Sequence, residues 1–282
     1  MRQQSVQPHI LTSPVIDDII GQIEPVSLEQ TLADSAMLTR VDNKYLINQR
    51  QFGSILQDVS QRYRILTIDA KNVFAYRSKY FDDHYRTYYE HHQGRRRRFK
   101  LRIREYVDSG ALYFELKLKG LRGKTVKFRE SCDSFSIQTL DDRSHYYLLA
   151  RDWYESAYRR RFPDCLSASL IVSYSRIALV STVGQERVTV DTNISYQDTR
   201  TSRSWALSHN AVVVETKTEK GTGEMDQLLK SRGYRRASGC SKYCLGLAQG
   251  DLVDRNNRFL PVLRKVRQFD RNLESVRYNI RQ

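Results

Sequence analysis

Apolar and polar residues follow two different periods along the chain. Phe52, Ile55, Leu56 and Val59 are spaced three or four residues apart, which predicts one apolar face of a helix. From residue 63 onward, apolar residues alternate with polar ones. This alternation predicts strands at 63–69, 73–81, 97–107, 111–119 and 125–129. Turn-forming residues at 108–110 and 119–123 join these strands into two hairpins.

The second half of the chain mixes both periods. A helix is predicted at 139–161, with an apolar face formed by Tyr146, Leu149, Trp153 and Ala157. Strands are predicted at 170–180, 187–196 and 211–217, followed by helices at 225–231, from Ser241, and at 260–276. Successive strands with helices around them predict an α+β domain built on an antiparallel β-barrel.

The predicted domain occupies residues 26–250. Residues 1–25 are polar and contain Pro8, Pro14 and Pro25, so we expect a mostly irregular lead-in. Ser27 and Gln30 form a capping box, which predicts a short helix that ends near Met37.

The polar positions of the strands are strongly basic. Residues two apart on a strand share a face, and here one face is apolar while the other carries Lys and Arg. Between residues 97 and 129, this basic face carries Lys100, Arg102, Arg104, Lys117, Lys119, Lys127 and Arg129. A solvated outer sheet face explains any single strand, but protein surfaces normally mix charges of both signs.

A bound polyanion accounts better for the whole set of strands. Cations on adjacent strands lie about 5 Å apart and repel each other, and an anion between them removes that cost. The net charge of +15 over 282 residues also implies a polyanionic partner. The pattern therefore favours an inverted barrel, charged inside and apolar outside under a jacket of helices, whose lumen is a tunnel for phosphate.

Two carboxylates on the charged face narrow the choice of polyanion. Glu115 and Glu215 each lie two residues before a lysine, Lys117 and Lys217. Carboxylates would repel nucleic acid, and the aromatic residues are expected mainly on the apolar faces rather than among the cations. A site for nucleotide or polyphosphate with a divalent cation needs both charges. The alternative is that each glutamate only pairs with a neighbouring Lys or Arg.

Other features exclude further classes of protein. No apolar run is long enough to cross a membrane, no secretory signal is visible, and the four cysteines form no CxxC pair, so we expect a reduced, cytoplasmic protein. No nucleophile motif supports covalent catalysis. Four arginines at 95–98 are either a nucleic-acid patch or the solvated mouth of the tunnel, and we favour the mouth.

Eight segments in order resemble the VTC domain, the polyphosphate polymerase domain of the vacuolar transporter chaperone complex, in the CYTH superfamily of triphosphate tunnel metalloenzymes. They are RVDNKYL at 40–46, YFD at 80–82, RRFKLRIR at 97–104, FELKLK at 114–119, SYSR at 173–176, RVTVDTN at 187–193, VETK at 214–217 and SKY at 241–243. The resemblance covers residues 25–250 and is to the compact, stand-alone versions found in bacteria. Arg40 replaces the first carboxylate of the superfamily's ExExK motif, so the number of metal ligands stays open.

The resemblance implies an ATP-dependent polyphosphate polymerase that uses Mn²⁺ or Mg²⁺. Matching positions imply phosphate ligands at Lys44, Arg102, Arg104, Lys117, Lys127, Arg176, Arg187 and Lys242, with Arg102, Arg104, Lys117 and Lys127 on the reacting triphosphate. The same resemblance implies a metal carboxylate at Glu215. The strand pattern adds Lys100, Lys119, Arg129 and Lys217 for phosphate and Glu115 for metal. The basic helical segment at 251–282 would then pack near the tunnel, as a terminal helix does in the family.

The expected partners are ATP and inorganic polyphosphate, but not nucleic acid. A membrane partner would be a separate protein. Two other functions stay open: a tunnel triphosphatase or polyphosphatase, in which Glu115 orients the attacking water, and a non-catalytic sensor of polyphosphate or inositol phosphates.

Overall fold

The structure is a computed structural model and describes residues 14–33, 41–120 and 125–279. The helices are α1 (Pro14–Gln22), α2 (Leu28–Ala33), α3 (Gln49–Val59), α4 (Arg86–His92), α5 (His145–Tyr158), α6 (Glu224–Ser231), α7 (Lys242–Gln249) and α8 (Leu260–Asn279). The strands are β1 (Pro25–Val26), β2 (Val41–Asn48), β3 (Tyr63–Leu66), β4 (Phe74–Asp82), β5 (Arg98–Tyr106), β6 (Ala111–Lys119), β7 (Thr125–Cys132), β8 (Thr139–Leu140), β9 (Leu166–Ser181), β10 (Arg187–Asp198), β11 (Ser204–Ala206) and β12 (Ala211–Thr218). No described helix is both long enough and apolar enough to cross a bilayer.

The main sheet is antiparallel, in the order β2-β12-β10-β9-β4-β5-β6-β7. It curls, because Lys117 on β6 lies 3.5 Å from Asp42 on β2, at the opposite end of that order. The α+β class and the antiparallel sheet are confirmed.

The expected barrel is not closed, because no pairing joins β2 to β7 within the described residues. The edge of β2 that could pair with β7 is hydrogen-bonded instead to the segment after α6. Ala237 N–H donates to the carbonyl of Lys44 at 2.7 Å, and Arg236 forms an antiparallel β-bridge with Tyr45. A strand edge that already has a partner cannot also bond to β7.

Helices cover the outside of the sheet, as the charge pattern predicts. Apolar residues of β5 and β6 pack against α5, and those of β2, β9, β10 and β12 pack against α1, α3 and α6. The inner face is divided. One part carries the cations, and the other is apolar and packs against α7 and α8, which close that side of the curled sheet.

The predictions for the N-terminal segment are confirmed in part. The capping box before α2 is confirmed, since Ser27 Oγ accepts from Gln30 N–H at 3.2 Å and Gln30 Oε1 accepts from Ser27 N–H at 3.1 Å. The expected continuation to Met37 lies outside the described residues, as do residues 1–13, Arg40, the turn residues 121–123 and residues 280–282. The irregular lead-in is wrong for α1, whose isoleucines pack against α3.

The helix predicted at 139–161 also differs. Residues 139–140 form β8 and pair with β9, so the helix begins only at His145. Its buried face is Tyr147, Ala150, Tyr154 and Tyr158, one position along from the predicted face. The Tyr158 hydroxyl sets this rotation, because it lies 2.9 and 2.8 Å from the carbonyl oxygens of Arg98 and Lys119.

Candidate functional site

Four cations surround one buried carboxylate on the hairpins β5–β6–β7. Glu115 Oε2 accepts from Arg102 Nη2 at 2.6 Å and Nε at 2.8 Å, and Glu115 Oε1 lies 2.5 Å from Lys127 Nζ. Arg104 and Arg129 lie just under 4 Å away. The strand register explains this grouping, since Glu115 is paired with Arg102 on one side and Arg129 on the other. We call the inner face of β5, β6 and β7 the arginine wall.

The surrounding cations keep the Glu115 carboxylate ionised. Burial alone would raise the pKa of Glu115, but the surrounding cations, led by Arg102, hold it far below its ordinary value. Burial also lowers the pKa of Lys127 to about 8, although its contact with Glu115 opposes this. Without a ligand, Glu115 is therefore the counter-ion for several cations of the arginine wall.

The space enclosed by the curled sheet is called the tunnel here, and carboxylates are more frequent on the side opposite the arginine wall. Glu215 Oε2 lies 2.6 Å from Lys44 Nζ, its cross-strand neighbour, and Asp42 is paired across the same two strands with Lys217. Burial would raise the pKa of Glu215, but Lys44 and then Lys217 hold it well below its ordinary value. We call the inner face of β2, β9, β10 and β12 the paired wall.

A second carboxylate of the paired wall is fully enclosed. Asp191 accepts two hydrogen bonds from Arg176, at 2.6 and 2.9 Å, and a further one from Lys242 at the start of α7. Burial would raise the pKa of Asp191, but Arg176 and Lys242 hold it far below its ordinary value. This carboxylate fixes two predicted phosphate ligands in place and brings α7 onto the sheet.

The first turn of α7 forms the floor of the site. Ser241 caps the helix by accepting from the backbone N–H of Cys244 at 3.4 Å, and its hydroxyl also accepts from Lys100 Nζ at 2.8 Å. Burial lowers the pKa of Lys100. The floor is thus joined to the arginine wall through Lys100 and to the paired wall through Lys242.

Tyrosines lie among the cations, which corrects the expectation that aromatic residues keep to the apolar faces. The Tyr80 hydroxyl accepts from Arg102 Nη1 at 2.9 Å. Other arginine–ring pairs are Arg104 with Tyr76, Arg129 with Tyr113 and Arg176 with Tyr174. Sequence reasoning missed these residues, although Tyr113 and Tyr174 lie two positions before Glu115 and Arg176 and so share their faces.

The structure brings most predicted site residues onto one curled surface. Lys117, on the arginine wall, reaches Asp42 across the tunnel and so links the two walls. Arg187 and Lys217 are cross-strand neighbours at one end of the paired wall. Lys119 lies at the end of β6, where its Nζ is 3.4 Å from Thr125 Oγ1.

The residues present suit a hard divalent cation bound mainly through phosphate oxygens. No described group of three or more His, Cys, Asp or Glu residues forms a metal cage, but Mg²⁺ and Mn²⁺ bound with phosphate need only one or two carboxylates. Thr189 Oγ1 is buried without a hydrogen-bond partner, and Thr189 is paired directly with Glu215. Glu215, Asp42 and this hydroxyl would supply hard oxygen ligands for such a cation from one patch of the paired wall.

Comparison with solved structures finds distant similarity over most of the chain. A protein of Pyrococcus horikoshii OT3, PH1819, is 13% identical with a TM-score of 0.43, covering 74% of this chain and 99% of that one. The putative adenylyl cyclase HpAC1 from Hippeastrum, described as having a dominant triphosphatase activity, is 16% identical with a TM-score of 0.42, covering 75% and 96%. A putative adenylate cyclase from Vibrio parahaemolyticus is 12% identical with a TM-score of 0.40, covering 73% and 97%.

No curated protein matches the sequence. The VTC domain family, in contrast, matches residues 39–250, which include every predicted site residue. The chain therefore belongs to the VTC domain family.

Proposed function

We propose that this protein is a metal-dependent polyphosphate polymerase that transfers the γ-phosphoryl group of ATP to the end of a growing polyphosphate chain. The observation that carries the proposal is the unequal charge of the two walls. The arginine wall has many cations around Glu115, whereas the paired wall holds its cations against carboxylates and presents Glu215. A triphosphate supplies the anions that the first wall lacks.

The residues of this chain bind and orient both substrates. Arg102 and Arg104 give two-pronged contacts to the phosphate oxygens of ATP, while Lys117 and Lys127 act as mobile point charges. Lys44, Lys100, Lys119, Arg129, Arg176, Arg187, Lys217 and Lys242 extend the cationic surface for the chain. Glu215, with Asp42 and Thr189, would hold Mn²⁺ or Mg²⁺, which when bound neutralises charge on the phosphates.

The transfer needs no general base. A terminal oxygen of the acceptor chain attacks the γ-phosphorus, the bond from that phosphorus to the β–γ bridging oxygen breaks, and ADP leaves. The attacking oxygen is already ionised at neutral pH, so no residue has to remove a proton from it. Positioning and stabilisation of the charge on the transferred group supply the rate.

The state of Glu115 favours this reaction over hydrolysis. A tunnel triphosphatase requires a group that orients water, and Glu115 is the candidate on the arginine wall. Its oxygens contact Arg102 and Lys127, and its lowered pKa makes it a weak base. This supports an acceptor that brings its own negative charge.

The test is to incubate the purified protein with ATP and Mn²⁺, and to measure ADP release together with the length of any polymer on a gel. ADP with a polymer ladder is the expected result. ADP or free phosphate without polymer would replace the proposal with the triphosphatase. Tight polyphosphate binding without turnover would replace it with the sensor.

A further inference from the structure

We propose that an arginine patch outside the tunnel, formed by Arg95, Arg96, Arg97 and Arg160, binds the part of a polyphosphate chain that extends beyond the tunnel. The inference rests on the proposed function, since it assumes that the tunnel handles long polyphosphate. The patch would be a second binding surface that only a polyphosphate chain long enough to leave the tunnel can reach. Its four arginines are not among the residues that line the tunnel.

The patch lies next to the tunnel through the register of β5 and β6. Residues 95–97 lead directly into β5, where Arg98 is paired with Lys119 and Lys100 with Lys117. These four residues form two cross-strand pairs on the same face of the sheet, about 7 Å apart along the strands. A chain that leaves the tunnel past Lys119 therefore meets the segment 95–97.

The end of α5 brings Arg160 to the same place. The Tyr158 hydroxyl is anchored on the carbonyls of Arg98 and Lys119, and Arg160 follows two residues later. Arg95, from the segment before β5, and Arg160, after α5, both act on Glu90 of α4. Burial raises the pKa of Glu90, and these two arginines are among the cations that oppose the rise. Two segments far apart in sequence thus form one cationic surface.

The patch concentrates four exposed cations that have no described carboxylate within ion-pair distance. Arg95, Arg96, Arg97 and Arg160 are all exposed, and none forms an ion pair with another described residue. Glu90, on which Arg95 and Arg160 act electrostatically, lies 3.8 Å from Arg86 instead. In contrast, Arg64, Lys71 and Arg143 each contact a carboxylate. Clustered arginines without counter-ions repel each other, and a phosphate chain relieves this repulsion with two-pronged hydrogen bonds.

The surroundings of the patch favour polyphosphate over other polyanions. A membrane-binding surface would place apolar side chains beside the cations, but none of the large apolar residues that are exposed in the described chain belongs to residues 94–98 or 159–161; they are Leu28, Val41, Val107, Val126 and Val183. A single-stranded nucleic acid would need exposed aromatic rings for stacking, and residues 94–98 and 159–161 contain none. Because the patch is continuous with the tunnel, its expected ligand is the same polyphosphate chain that the tunnel binds.

The test compares two triple variants with the wild-type chain. The patch variant is Arg95→Gln/Arg96→Gln/Arg97→Gln, and the control, Arg64→Gln/Lys71→Gln/Arg143→Gln, removes the same charge from remote surfaces. Binding of labelled long-chain polyphosphate and of tripolyphosphate is measured by fluorescence anisotropy over a salt series, without ATP. We expect the patch variant to bind the long chain about tenfold more weakly, with a salt slope reduced by about 2, because each phosphate contact contributes about 0.7–0.9 to that slope. Its tripolyphosphate affinity should match the wild type.

Each other outcome overturns the inference. Unchanged long-chain affinity, an equal loss for tripolyphosphate, or an equal loss in the control variant would each do so. Weakened binding to phosphatidylserine vesicles or to DNA with intact polyphosphate binding would assign the patch to that ligand instead. The proposed function is tested separately by polymer synthesis. If the wild-type protein makes no polymer while the patch variant still selectively loses long-chain binding, the polymerase proposal is rejected and the inference about the patch stands.

Discussion

The two walls of the tunnel use opposite arrangements of charge. On the arginine wall, Glu115 is shared by four cations, which leaves an excess of positive charge. On the paired wall, Lys44 has Glu215, and Arg176 and Lys242 share Asp191. The first wall therefore has the larger excess of positive charge for an anionic ligand to balance, whereas the second offsets more of its charge with Asp42, Asp191 and Glu215. In the proposed function, this difference places the reacting triphosphate mainly on the arginine wall and the divalent cation on the paired wall.

The strongest test of the arginine wall is Arg102→Ala. The change removes a cation that contacts Glu115 and Tyr80 and, in the proposed reaction, the triphosphate. We expect ATP turnover to fall by about 10²–10³-fold, the typical loss for one donor that stabilises transferred charge. The fold should survive, because Lys127 and Arg104 remain beside Glu115. The control is Arg77→Ala, on the outer face of β4, which should keep full activity. Substantial turnover in Arg102→Ala would contradict the assignment.

On the paired wall, Glu215→Gln separates binding from turnover. Losing the carboxylate should lower metal-dependent turnover by roughly 100-fold, since a bound metal stabilises the transferring group by several kcal/mol. Polyphosphate affinity should hold or rise, because a negative charge has left the tunnel. Metal-dependent turnover and polyphosphate affinity are measured on the same preparation, and the variant of an exposed residue, Glu219→Gln, is the control. A variant that turns over normally at all metal concentrations would mean that Glu215 is only a counter-ion for Lys44.

Glu115→Gln should act on stability instead. The variant leaves its four cations without a buried counter-ion, and we expect the free energy of unfolding to fall by about 3 kcal/mol, as when a buried ion pair loses one partner. Urea unfolding measures this, with the exposed Glu130→Gln on the outer face of β7 as the control. Added tripolyphosphate should restore much of the loss because it replaces the missing anion. If tripolyphosphate stabilised wild type and variant equally, the phosphate would not be bound at this wall.

Most of this division of charge could be predicted from alternation along single strands. The positions of Lys100, Arg102 and Arg104 on one face follow from a period of two, and so does the apolar face that packs against α5. Contacts between distant segments could not be predicted in this way. The bond between Lys242 and Asp191 joins residues 51 positions apart, and nothing local to SKY or RVTVDTN specifies it.

The errors have physical causes of the same kind. The sheet stays open because residues 236–237 occupy the edge of β2, a pairing that no periodic pattern indicates. The rotation of α5 is set by the Tyr158 hydroxyl, and the aromatic residues of that helix suit either face. The inward position of Tyr113 follows from alternation with Phe114, but the general expectation that aromatic residues lie on apolar faces obscures it.

A pH profile sharpens the description of the arginine wall. Lys127 has a pKa lowered to about 8 in the free protein, so its positive charge is present below that pH and is lost as the pH rises through it. We expect kcat/KM for ATP, which reports on groups of the free enzyme, to fall on the alkaline side with a midpoint near 8. Lys127→Arg should move this fall to higher pH, because arginine stays protonated. An identical alkaline fall in both proteins would exclude Lys127 as its source.

The smallest expected effect tests a single oxygen on the paired wall. Thr189→Val keeps the shape of the side chain and removes the hydroxyl that lies without a hydrogen-bond partner beside Glu215. If this oxygen helps to hold the divalent cation, the half-saturating Mn²⁺ concentration should rise within the 10–100-fold range seen for supporting residues of metal sites, toward its lower end. The rate at saturating metal should stay the same, since Glu215 is intact. Thr192→Val, on the opposite face of β10, is the matched control. A lower rate at every Mn²⁺ concentration would instead mean that Thr189 supports the sheet, and the cation would then have only carboxylate ligands from this wall.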